Sequence, residues 1–222
     1  LVGKALGAEA DRMANAFLIE VLRRERPHDA LLSEEEKDSA ERLKAGRCWI
    51  VDPLDGTREY GEGRDDWAVH VALAVNGAAS DGAVALPGLG LVLRSDSPAA
   101  MAGPKRLPRL LVSRTRPAPE AEAVARLIGG ELVPMGSAGA KAMAVVRGEA
   151  EIYLHTGGQY EWDNCAPVAV AQAAGLHVSR ADGSALRYNN PDPYLPDLLI
   201  CRKEWARPVL AAFASLDLPR DQ

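Results

Sequence analysis

The stretch Trp49-Ile50-Val51-Asp52-Pro53-Leu54-Asp55-Gly56-Thr57 sets two carboxylates three residues apart at the end of an apolar, β-branched strand. Pro53 fixes its own φ and Gly56 permits a sharp turn, so Asp52, Asp55 and the Leu54 carbonyl can converge on one side. Hard divalent cations take oxygen ligands of this kind. Magnesium in particular is held by one or two carboxylates, water and a substrate phosphate. The motif therefore points to phosphate chemistry. Asp-Pro and Asp-Gly dipeptides also form ordinary surface turns, which is the competing reading of the segment alone.

Acids on either side of it widen the motif. Upstream, Leu31-Leu32-Ser33-Glu34-Glu35-Glu36-Lys37 carries an apolar strand end into three consecutive acids, with Glu34 eighteen residues before Asp52. Downstream, Glu161-Trp162-Asp163-Asn164 precedes an alanine-rich run from Cys165 to Ala174 that Gly175 closes. Asp163 reads as the N-cap or first residue of a helix. Taken singly, an acidic triplet is a solvated helix start and such an aspartate is only a cap.

Around this centre lie 222 residues, 47% of them hydrophobic, with a formal charge of −5. That is enough chain for one substantial core or two closely joined subdomains. No apolar run is long enough to span a bilayer, and no charged-then-apolar leader precedes the first helix, so the expectation is a cytoplasmic protein without a membrane partner. Cys48, Cys165 and Cys201 sit in apolar contexts and read as buried thiols of a reducing compartment. The histidines at 28, 70, 155 and 177 lack ligand spacing, which argues against zinc. Basic residues form no stripe, so a nucleic-acid polymer is an unsuitable partner, while a small nucleotide can still be held by a local cluster.

Periodicity divides the chain into an α+β half, 1–105, and an α/β half, 106–222. From Asp11 to Arg24, Met13, Phe17, Leu18, Val21 and Leu22 recur at helical spacing and predict an apolar stripe. Short strands follow around 31–32, 48–51, 68–75, 81–86 and 91–94, broken by Gly, Pro and Asn-Gly turns and read as antiparallel hairpins. After a Ser/Pro/Ala/Gly-rich loop, 95–108, the rhythm alternates: strand 109–113, helix 119–128, strand 131–135, helix 137–147, strand 151–155. A helix from Asn164, strands near His177 and at 198–201, and a helix from Glu204 complete an α/β pattern.

The order of these motifs resembles the inositol monophosphatase superfamily of magnesium-dependent, lithium-sensitive phosphatases, over nearly the whole chain. The resemblance rests on WIVDPLDGT at 49–57, SEEEKD at 33–38 and EWDNCAPVAVAQAAG at 161–175. It implies a layered αβαβα sandwich and a site with two or three Mg²⁺. Carried over by position, Glu34, Asp52 and the Leu54 carbonyl are ligands of one ion, and Asp52, Asp55 and Asp163 of a second. Asp11 and Thr57 orient and deprotonate the attacking water at Glu34's ion. Superfamily precedent allows a homodimer.

Within the superfamily, LLSEEEKD, DPLDGTREY and GSAGAKAM are most similar to the CysQ-type branch. Its members remove the 3′-phosphate of 3′-phosphoadenosine 5′-phosphate in sulfur assimilation, with the 5′-phosphosulfate a second candidate substrate. The branch's Gly-Ser-x-x-x-Lys element implies Ser137 and Lys141 as nucleotide contacts. A capped helix with a solvated lysine accounts for the same residues. The N–H groups of Gly56 and Thr57, at a turn entering a helix, are candidates for the phosphate. Arg116 stands where the branch often has a histidine, and His155 where it often has an arginine; Arg116 is the candidate replacement contact. Inositol-1-phosphate or fructose-1,6-bisphosphate phosphatase activity with the same metals is the alternative, followed by a non-catalytic phosphometabolite sensor.

Overall fold

In the computed structural model of the protein, which describes residues 1–98 and 107–216, the chain opens with α1 (Gly3–Glu25). Its buried stripe is Gly7, Asp11, Asn15 and Ile19, one residue per turn. This corrects the apolar stripe expected from the sequence, since Met13 is 60% and Phe17 67% exposed. The inward face is polar because it closes over a cluster of acids, and Asn15 is buried there through hydrogen bonds. Ser33 Oγ donates to Asn15 Oδ1 at 2.8 Å, and Asn15 Nδ2 donates to Glu36 at 3.0 Å.

β1 (Ala30–Ser33) and β2 (Arg47–Asp55) follow, then the short α2 (Thr57–Gly61), β3 (Ala68–Val75), β4 (Ala78–Leu86) and β5 (Leu91–Arg94). The strands form one sheet in sequence order. The expected hairpins are present from β2 to β5, but β1 pairs with β2 in parallel, with Ser33 opposite Val51. Parallel pairing needs a crossover, here the segment 34–46, and it brings Glu34 and Asp52 out at the same sheet end.

The second half comprises β6 (Arg109–Ser113), α3 (Pro119–Ile128), β7 (Glu131–Met135), α4 (Ala138–Val146), β8 (Ile152–His155), β9 (Gln159–Tyr160), α5 (Glu161–Ala173), β10 (His177–Ser179), β11 (Tyr194–Leu195), β12 (Leu198–Cys201) and α6 (Lys203–Ala214). A second, mixed sheet has the order β10-β12-β8-β6-β7, and β9 pairs with β11 as a separate ribbon.

Strand alternation sorts the core into layers. Leu111, Tyr153, Leu198 and Ile200 face α4, α5 and the first sheet in one cluster, whereas Leu110, Ile152, Leu154 and Leu199 face α3 and α6 in another. With α1 on the outer side of the first sheet, the layers run αβαβα, as the motif resemblance implied. The division expected at 105/106 falls outside the described residues. The core that α4 and α5 build spans both sheets.

Candidate active site

Three carboxylates meet at the end of β2. Asp52, Asp55 and Asp163 each place an oxygen within 4.8 Å of the other two. β2 and β3 pair continuously as far as Asp52 opposite His70, then a register shift lets Asp55 fall opposite Ala68. That irregularity turns Asp52 and Asp55 toward one point despite the odd spacing between them. Asp52 Oδ1 accepts the N–H of Leu54 at 3.0 Å, and the Leu54 carbonyl accepts the Thr57 hydroxyl at 3.2 Å. Gly56 (φ 94°) caps α2 in a left-handed conformation, and a Cβ there would lie 2.9 Å from that of Ser137. The Asp-Gly-Thr turn and the Gly-Ser-Ala-Gly turn thus pack directly together.

Asp163 is the third residue of α5, not its cap or first residue as expected. The helix begins at Glu161, and the Asp163 carboxylate accepts the backbone N–H of Tyr160 at 2.6 Å. Asp55 is held by the N-terminus of α4: Ala138 N–H donates to Oδ1 at 3.2 Å and Gly139 N–H to Oδ2 at 2.5 Å. Ser137 caps the same helix, α4, accepting the N–H of Ala140 at 3.1 Å.

The electrostatics separate these acids. Burial, followed by the charges of Asp55, Glu34 and Asp163, pushes Asp52 well above the usual carboxylate range. Asp163 is raised to about 6 by burial and Asp55, and Asp11 to about 6 by burial and Glu35. Glu34 is exposed as a residue and lies outside the tight triad, yet enclosure of its carboxyl and the charges of Asp163 and Asp11 raise it to about 7. Asp55 alone is lowered. Its burial acts upward, but His70, the Gly139 N–H and Lys141 outweigh it. Asp11 Oδ1 is buried without a hydrogen-bond partner, and the Asp11 charge acts on Glu34 and Asp52.

Oxygen donors only, crowded and mutually repelling, fit hard divalent cations: carboxylates this close stay ionised together only beside a positive charge. Among the described residues His70 and Lys141 supply part of it. The histidines and cysteines contribute no ligand to the group.

Lys141 is buried, and its ammonium donates to the carbonyls of Gly136 and Ser137, the latter at 2.8 Å. Two of its three N–H donors thus hold the turn that carries Ser137, and burial lowers the group to about 8. Arg116 is exposed on the loop after β6, near enough to His155 for its charge to act there, and its N–H donates to Ser113. His155 Nε2 bonds the Gly158 carbonyl at 2.9 Å, a structural contact at a strand end.

The sequence reading passed over His70 and Gly139. His70 Nδ1 lies 3.0 Å from the Trp162 carbonyl and Nε2 3.2 Å from Asp55 Oδ2. A Cβ on Gly139 would strike the His70 ring, so glycine is required where α4 crosses it. The strand's parity held the signal: Ala68, His70, Ala72 and Ala74 are all buried on β3.

A sequence profile of the Inositol monophosphatase family matches residues 4–215. The chain belongs to the inositol monophosphatase family. A Mycobacterium tuberculosis relative, 3′-phosphoadenosine 5′-phosphate phosphatase, is 52% identical over 219 residues, covering 94% of this chain and 82% of the relative. The crystal structure of CysQ from Bacteroides thetaiotaomicron, a bacterial member of the inositol monophosphatase family, superposes with a TM-score of 0.74 at 28% identity. The match spans 87% of this chain and 83% of that one. The inositol monophosphatase of Anabaena shares the fold, with a TM-score of 0.79 at 22% identity over 94% and 87% of the two chains. The family match takes in the Asp52 turn, the Glu34 segment and the Asp163 helix.

Proposed function

We propose that this chain is a Mg²⁺-dependent phosphomonoesterase that hydrolyses the 3′-phosphate of 3′-phosphoadenosine 5′-phosphate, leaving adenosine 5′-monophosphate and inorganic phosphate. The observation that carries this reading is the convergence of Asp52, Asp55 and Asp163 within 4.8 Å. It occurs in a chain 52% identical to a phosphatase of that name.

Asp52, Asp55, Asp163 and Glu34, with the Leu54 carbonyl, are the groups that would hold two or three ions. The chemistry Mg²⁺ would supply there is neutralisation of the phosphoryl oxygens, a lower pKa for the attacking water and stabilisation of the leaving oxygen. The protein's own part is positioning and proton transfer. Thr57, fixed by its hydrogen bond to the Leu54 carbonyl, orients the water. Asp11, beside Thr57 and raised to about 6 by burial and Glu35, offers an unpartnered buried oxygen as proton acceptor near neutral pH. The first N–H groups of α2, at Gly56 and Thr57, have no intrahelical acceptors and suit the phosphate. Arg116 and the Ser137 turn are the contacts proposed for the nucleotide, with Lys141 bracing that turn from behind.

No helix among the described residues is long and apolar enough to cross a membrane. Three buried, unbridged cysteines support a reducing, cytoplasmic setting. The test is phosphate release from 3′-phosphoadenosine 5′-phosphate with chelator and with Mg²⁺ restored: the reading requires loss and recovery of turnover. Equal release in both conditions would refute it.

A further inference from the structure

β3 presents Ala68, His70, Ala72 and Ala74 to the interior, so one imidazole stands in a row of alanines. A buried polar ring in such a row has a desolvation cost that its contacts must offset. Its two nitrogens reach different segments. Nδ1, 3.0 Å from the Trp162 carbonyl, carries a proton and donates to it. Trp162 immediately precedes Asp163 in the first turn of α5. Nε2 lies 3.2 Å from Asp55 Oδ2, fully buried and without an aligned hydrogen-bond partner. The backbone of His70 pairs opposite Asp52. One residue therefore stands against the supports of all three acids, and Gly139 is bare where α4 passes the ring.

We propose that His70 is a positioning residue that sets the separation of the Asp55 and Asp163 carboxylates. The proposal rests on those acids being the cation ligands of the preceding subsection. Asp55 is presented by the end of β2 and Asp163 by the start of α5, so their spacing depends on how two separate elements dock. The imidazole spans that joint. Mg²⁺ demands near-octahedral geometry at about 2.0–2.1 Å, so small changes at the joint act on affinity. Partners behind metal ligands typically contribute about 10–100-fold in affinity.

Each nitrogen can be replaced separately. His70→Asn puts an amide N–H near the position of Nδ1 and withdraws from Asp55. His70→Gln extends an amide toward Asp55 and gives up the Trp162 bond. His70→Ala removes both. Ala74→Gly, further along the same buried row, serves as a control that weakens the strand away from the acids.

The experiment is calorimetric titration of metal-stripped full chain with MgCl₂, with melting temperatures in metal-free buffer and phosphate release measured alongside. We expect His70→Ala to weaken Mg²⁺ binding by about 10–100-fold. Asn and Gln should fall between it and wild type, and Ala74→Gly should lower the melting temperature without changing Mg²⁺ affinity. Wild-type affinity in His70→Ala, or a loss no larger than that of Ala74→Gly, overturns the proposal. If His70→Ala does not fold, the Asn and Gln variants decide it, and wild-type affinity in both overturns it. A wild-type chain that takes up no Mg²⁺ defeats the metal reading itself and this proposal with it, an outcome read from the first titration alone.

Discussion

The carboxylate of Asp55, which ends β2, receives the backbone N–H of Gly139 in the first turn of α4 at 2.5 Å. That bond joins a strand of the first sheet to a helix of the middle layer. With the hydrogen bond and charge of His70, it holds Asp55 below the usual carboxylate range while its neighbours are raised, since a helix N-terminus favours negative charge.

Gly139→Ala tests this junction. The added Cβ meets the His70 ring and Ala68, so α4 must shift away from Asp55. Overpacking of this kind costs about 1–3 kcal/mol. The expected outcome is a lower melting temperature together with weaker Mg²⁺ binding. An unchanged Mg²⁺ isotherm in a destabilised variant would separate α4 from the metal site.

Removing metal should invert the usual pH dependence of stability. Asp11 and Asp163 are raised from 3.8 to about 6, and Glu34 from 4.5 to about 7. The folded protein therefore holds more protons than the unfolded chain across that window, and stability falls as pH rises through it. His70, raised because Asp55 overrides the downward effect of its burial, stabilises the fold at low pH and loses that contribution as pH climbs through its folded pKa. Asp55, whose burial is outweighed by His70 and the Gly139 N–H, is lowered and acts only below its ordinary range. In chelator the melting temperature should drop from about pH 5 to about pH 8. Saturating Mg²⁺ should abolish the drop, with protons released on binding. A rise with pH in chelator would contradict these assignments.

Much of this architecture is legible in the sequence where period and punctuation agree. β3, β6, α3, β7 and β12 fall within the expected bounds because alternation or a 3.6-residue repeat runs uninterrupted between Gly, Pro or polar breaks. α1 shows the limit. Hydropathy selected Met13 and Phe17, but the buried face is set by Asp11 and Asn15, whose burial depends on partners 18–46 residues away. The acids of the site were legible as motifs. His70 was not, because its contacts come from segments that only the fold brings together. Asp163 reads as the N-cap or first residue because a helix start looks alike from the sequence whether the acid reaches forward or, as here, back to Tyr160.

Asp52→Asn should divide stability from activity. Asn keeps an oxygen for the Leu54 N–H and removes a buried acid held well above its usual range, so the metal-free variant should melt higher than wild type. Turnover should fall by at least about 100-fold, since the residue is shared between the proposed ions. A variant that is less stable in chelator at pH 8 would show that the acids do not repel one another as argued.

Lys141 and Arg116 should behave differently. Lys141→Ala leaves the Gly136 and Ser137 carbonyls without their ammonium partner, at a cost of about 1–3 kcal/mol, and should reduce turnover of all substrates alike. Arg116→Ala should raise KM for the nucleotide with little change in kcat or melting temperature. Loss confined to nucleotide turnover in Lys141→Ala would instead give its third N–H a direct substrate contact.

The central claim is tested most directly by phosphate release from 3′-phosphoadenosine 5′-phosphate, inositol-1-phosphate and fructose-1,6-bisphosphate, each with Mg²⁺, with chelator and with added lithium. The account predicts Mg²⁺-dependent, lithium-inhibited release with kcat/KM highest for the nucleotide. Preference for either other substrate would contradict the nucleotide assignment while leaving the metal site intact, and no release from any of them by folded protein in Mg²⁺ would contradict the phosphatase itself.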